Sequence, residues 1–159
     1  MMLKKPEKIV IHWTAGSYAA SFYDKQFYHF LIDGESKVHD GIYAPEANLD
    51  VSDGKYCAHC GGGNTGAIGV ALCGMAGYKN PHEIGRFPLK AKQVETAFLL
   101  CARLCKKYGI PVDEKHVMTH YEFGRKNPNT SSFGKIDITF LPSYPEVSKN
   151  VEQPSCISS

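Results

Sequence analysis

The sequence has no apolar run approaching the roughly 20 residues that a membrane helix requires. Insertion into a bilayer is therefore not expected. Met1-Met2-Leu3-Lys4-Lys5-Pro6-Glu7 carries charge but no apolar stretch of the kind that follows the charged start of a secretory signal. A chain synthesised in the cytoplasm is the expectation. The excess of basic over acidic residues is only +2, too small to argue for nucleic acid. There is no internal repeat, and the single CxxC, Cys57-Ala58-His59-Cys60, has no second copy to complete a zinc ribbon. Gly61-Gly62-Gly63 lacks the following GK[ST] of a phosphate loop, and backbone freedom beside a cleft is its expected use.

What is present is an ordinary globular composition, 43% hydrophobic and 21% charged over 159 residues. That length suits one compact domain. We assign it residues 1–147, with 148–159, rich in Ser and containing Pro154, as a flexible tail. Of the six cysteines, Cys73, Cys101 and Cys105 lie in apolar stretches, which predicts small buried hydrophobes and free thiols.

Ile9-Val10-Ile11-His12-Trp13 is a short apolar run that ends in turn residues, as a buried strand does. Further strands are predicted over 27–32, 37–39, 68–73 and 117–120. Val94, Phe98, Cys101, Cys105 and Tyr108 recur at helical spacing, with Gly109 and Pro111 as the stop and Pro88 in the first turn. A shorter helix is predicted over 18–25. The fold class is mixed α/β: one central mixed sheet flanked by helices.

Two histidines, His12 and His120, end predicted strands, and Asp137 follows in Gly134-Lys135-Ile136-Asp137. A buried imidazole needs a hydrogen-bond partner or a metal. Two histidines and a carboxylate form a common catalytic zinc set. The same spacing also suits two satisfied core histidines and a surface aspartate. Glu122, close to His120, competes as the carboxylate, although its ordinary reading is a solvated charge. His29 and His39 read as structural or exposed.

Several blocks occur in order. They are 9–16 (IVIHWTAG), 28–32 (YHFLI), 64–74 (NTGAIGVALCG), Val117-Met118-Thr119-His120 and Gly134-Lys135-Ile136-Asp137. Together they resemble the zinc-dependent N-acetylmuramoyl-L-alanine amidases related to peptidoglycan recognition proteins, especially the small phage enzymes, over roughly residues 8 to 142. The resemblance implies that fold and one Zn²⁺ per chain, held by His12, His120 and Asp137. It implies catalytic roles for Tyr28, near the activated water, and Lys135, at the tetrahedral intermediate. It places His59 on the cleft rim as a substrate contact, together with Trp13 and Asn64. The implied partner is peptidoglycan and the implied state a monomer, acting on the bacterial wall after release from the host cytoplasm. Two departures stand out: Ala71 occupies a position where several relatives carry glutamate, and Ile138-Thr139 follows Asp137 where many carry Pro-Gly. The alternatives are a non-catalytic peptidoglycan-binding module of the same fold, or an amidase that also binds a regulatory partner such as RNA polymerase.

Overall fold

The computed structural model describes residues 3–139; the tail assigned to 148–159 lies outside the described residues. Five strands form one sheet: β1 (Lys8–Trp13), β2 (Phe30–Ile32), β3 (Val38–Asp40), β4 (Ala67–Leu72) and β5 (Val117–Thr119). Their order is β3-β2-β4-β1-β5. β1 pairs in parallel with β4 and β5, β2 pairs in parallel with β4, and only β3 runs antiparallel, as the return of a hairpin. The sheet is mixed and flanked by two helices, α1 (Ala91–Tyr108) and α2 (His120–Lys126).

β1 and β4 are interior strands with both faces covered, and their apolar character follows from that position. The pleat sends Ile9, Ile11, Trp13, Ile68, Val70 and Leu72 to one face, where they pack with Val94, Ala97, Cys101 and Leu104 of α1. Phe98, placed on that buried stripe by its spacing, is instead 39% exposed, and Ala97 and Leu104 take the inner positions. The opposite face of β4 carries only Ala67, Gly69 and Ala71, and the chain from 43 to 66 lies over it.

The predicted helix stop holds: Gly109 adopts φ 67°, where a left-handed cap favours glycine. The start differs. Pro88 lies ahead of the helix, and the first turn is closed by Gln93, whose Oε1 accepts from the Lys90 N–H. Gln93 is fully buried, and its Nε2 donates to the carbonyls of Ile32 and Cys73, clamping the ends of β2 and β4.

The predicted helix over 18–25 is reduced to a 3-10 turn at Asp24–Gln26. The Tyr18 carbonyl accepts from the Gly34 N–H and its hydroxyl donates to the Pro88 carbonyl, which draws this segment out of helical pairing. The same turn consumes Phe27, so β2 begins at Phe30 rather than 27. The strand predicted to end at His120 ends at Thr119, because Thr119 caps a helix the sequence reading missed. The Thr119 Oγ1 accepts from the Glu122 N–H, and the Glu122 carboxylate accepts from the Thr119 N–H.

Gly61-Gly62-Gly63 packs closely against the segment from 123 to 131. A Cβ at these positions would meet the side chains of Ser131, Thr130 and Phe123 at 1.8, 2.4 and 2.4 Å, so the glycines make room for those side chains.

Candidate metal and catalytic centre

Parallel strands bring their carboxyl ends to one edge of a sheet, where α/β proteins place their ligands. His12 sits near the end of β1, and His120 opens α2 directly after the neighbouring β5. The loop following α2 supplies Asp137. Its position is fixed by the next residue: Ile138 is buried in the main core despite φ 63°, a conformation costly for a β-branched side chain. Ile138 thus anchors the segment that carries Asp137.

The three side chains meet. His12 Nδ1 lies 3.2 Å from His120 Nδ1 and 3.3 Å from Asp137 Oδ2, and His120 Nδ1 lies 3.5 Å from the same oxygen. Glu122 is not among them, nor is it a solvated charge. It is 4% exposed, and its carboxylate is committed to the Thr119 cap.

Hydrogen bonds behind the histidines assign their protons. The Ser132 hydroxyl donates to the Gly61 carbonyl at 2.7 Å, leaving its oxygen to accept from His120 Nε2 at 3.0 Å. His59 Nε2 donates to the Ala67 carbonyl at 2.9 Å, and His59 Nδ1 lies 3.0 Å from His12 Nε2. Burial lowers the His12 pKa to about 4, so the ring is neutral at pH 7. Burial first, then the neighbouring His12 and His29, hold His59 well below the ordinary histidine value.

Two imidazole lone pairs and a carboxylate therefore face one point, three acceptors with no donor among them. This donor set fits a cation. A tetrahedral zinc with bonds of about 2.0–2.2 Å spaces its ligand atoms by about 3.3–3.6 Å, which the observed separations match.

His120 and Asp137 line a cleft of about 710 Å³, with His12 fully buried against them. Tyr28 stands beside His12, with 5.1 Å between the ring centroids. Burial, followed by the charges of Asp137 and Asp24, raises the Tyr28 hydroxyl above its ordinary value, so it keeps its proton and remains a donor. Lys135 is exposed and also lines the cleft. Trp13 lines the cleft with its ring against Tyr78 at 5.1 Å. Asn64 also lines it, but its Oδ1 already accepts from the Cys60 N–H, so it shapes the loop. His59, expected on the rim, is among the residues lining the cleft but is only 5% exposed, with its ring against His12. Ala71 is the β4 partner of His12 and contributes no carboxylate. The five described cysteines are free and buried.

Sequence reading missed Ser132 and Gln93. Nothing in their local pattern marks them, since both act through contacts made by distant segments. It also missed α2, for which Thr119-His120-Tyr121-Glu122 is a capping-box signature.

The sequence profile described as N-acetylmuramoyl-L-alanine amidase matches residues 2–132. The chain belongs to this family. The match stops short of Lys135 and Asp137, so those two positions rest on the geometry. No curated protein sequence matches the chain. Among solved structures, this amidase-family chain is similar to peptidoglycan recognition protein LE in complex with tracheal cytotoxin, a monomeric diaminopimelic acid-type peptidoglycan. That likeness has TM-score 0.58 and 16% identity, covering 94% of this chain and 83% of the other. It is similar to the Drosophila recognition protein LB at TM-score 0.55 and 15% identity, covering 97% and 85%. It is also similar to the Escherichia coli amidase AmiD, solved with an anhydro-N-acetylmuramic acid peptide, at TM-score 0.50 and 18% identity, covering 72% and 48%. At these identities the likenesses show the fold: a mixed sheet of the recognition-protein and amidase type.

Proposed function

We propose that the protein is a zinc-dependent peptidoglycan hydrolase that cleaves the amide between the N-acetylmuramic acid lactyl group and L-alanine. The observation that carries this reading is the convergence of three acceptors, at zinc-ligand spacing, beside an open cleft. His12, His120 and Asp137 would hold the ion. Bound zinc would supply Lewis-acid polarisation of the scissile carbonyl and bring the pKa of water down to about 7. Lys135 offers a cation to the oxyanion that develops on that carbonyl, and Tyr28 donates a hydrogen bond without losing its proton. The cleft walls orient the peptide.

A complete ligand set favours an enzyme over a binding module of the same fold. The blocks shared with small phage enzymes support a setting in phage lysis, with synthesis in the host cytoplasm and action on the wall after release. The protein is expected to act as a monomer.

The test is digestion of purified peptidoglycan with metal analysis of the same sample. New L-alanine amino termini without new reducing sugar ends, together with one zinc per chain, are the expected result. Reducing ends in their place would mean a glycosidase and overturn the reading.

A further inference from the structure

We propose that His59 is a positioning residue: it fixes the tautomer of His12, so that the His12 Nδ1 lone pair is turned into the acceptor cluster. The Ala67 carbonyl can only accept, so the proton of a neutral His59 sits on Nε2 and its Nδ1 carries a lone pair. His12 Nε2, 3.0 Å away, must then be the donor, which leaves His12 Nδ1 bare. That bare nitrogen is the atom 3.2 and 3.3 Å from His120 and Asp137. The opposite assignment would need a second proton on a buried His59 packed between two other imidazoles, a charge burial disfavours.

With both ring nitrogens engaged, His59 has none left for substrate. The fold makes room for it: a Cβ on Gly69 would stand 2.6 Å from the ring Cγ, so only glycine at this point of β4 admits the imidazole. His120 has an equivalent support in Ser132, which is tied to the Gly61 carbonyl. Both ligand histidines are thus oriented from residues 59–61. The consequence for metal affinity rests on the zinc reading above, whereas the tautomer is a property of the metal-free protein.

The experiment has two arms. Long-range proton–nitrogen correlation of the histidine rings in the metal-free parent should show His12 protonated at Nε2 and bare at Nδ1. Zinc affinity, measured by chelator competition, should then separate two substitutions. His59→Gln keeps a donor for Ala67 but offers His12 no acceptor, and should weaken zinc by about 10–100-fold. His59→Asn places its Oδ1 where Nδ1 stood, and should recover most of that loss. A His12 proton on Nδ1 in the parent overturns the proposal, as does parental zinc affinity in a folded His59→Gln. Should that substitution prevent folding, the parental tautomer still decides. A parent with the expected tautomer but no zinc affinity would sink the metal reading and leave the positioning role standing.

Discussion

The two faces of the sheet are built to different rules. Against α1, β4 presents Ile68, Val70 and Leu72, and the layer is almost wholly hydrocarbon. On the other face the same strand presents Ala67, Gly69 and Ala71. The volume these small residues give up is filled by His29, His59 and His12, with Asn48 among them. The polar layer is as deeply buried as the apolar one, so each member needs a partner. His29 Nε2 donates to Asn48 Oδ1, His29 Nδ1 accepts from the Gly69 N–H, and Asn48 Nδ2 donates to the carbonyls of Cys57 and Asn64. Among the described residues, every buried side-chain nitrogen or oxygen has a polar neighbour within hydrogen-bond distance, the three acceptors of the cluster having one another. A single strand thus serves stability with its large side chains and a reactive centre with its small ones.

The comparison breaks most sharply if the polar layer proves indispensable to folding rather than to chemistry. His12→Ala, His120→Ala and Asp137→Ala are each expected to lose stoichiometric zinc and essentially all amidase activity while remaining folded. Metal analysis beside circular dichroism checks this, and retained zinc in any one removes that residue from the ligand set. Lys135→Ala should keep zinc and fold yet lose about 10²–10³ in rate, about 2.7–4 kcal/mol, because the oxyanion exists only after attack. Steady-state kinetics should show the loss mainly in kcat; a rate within a few-fold of the parent would make Lys135 a surface charge.

On the apolar face the effect should be the converse. Leu72→Ala is expected to cost about 2–5 kcal/mol in urea unfolding, with little change in activity per folded molecule. Glu122→Ala lies between the two layers. It should cost about 1 kcal/mol through loss of the α2 cap and leave zinc stoichiometry unchanged, which also distinguishes it from Asp137→Ala.

The polar layer also sets a pH dependence. Burial lowers the His29 pKa to about 4, whereas the unfolded residue titrates near 6.5. Between these values the unfolded chain binds more protons. The contribution from His29 is therefore fully present above about pH 6.5 and is lost as pH falls towards 4, by at most about 1.4 kcal/mol per pH unit. Denaturant midpoints of the metal-free protein across that window should fall with acid, and His29→Gln should flatten the slope.

The apolar face was largely legible in the sequence, because β1, β4 and α1 carry their burial as local periodicity. The misplaced Phe98 shows the limit of that signal: helical spacing defines a stripe but not its centre. His12, His120 and Asp137 were legible as candidates through strand ends and family blocks, and the structure brings all three together. The role of His59 was not legible. Its position follows from the missing side chain at Gly69, and no pattern around residue 59 records what a strand ten residues away leaves out. The close packing at the three glycines 61–63 was not legible for the same reason. Read locally they suggest freedom, whereas in the fold they are where segment 123–132 presses closest.

The cluster joins positions 108 and 125 residues apart in the chain. Contacts of such separation come late, since loop closure must precede any return from them. Before β5 pairs with β1 and Ile138 seats in the core, the three acceptors are merely scattered groups on a long polymer. A cation held there by His12, His120 and Asp137 would clasp the first strand to the segment beyond the last described helix. It would close nearly the whole described chain into a ring, so its removal should first free the stretch from 127 to 139, as earlier cleavage by a protease at that place.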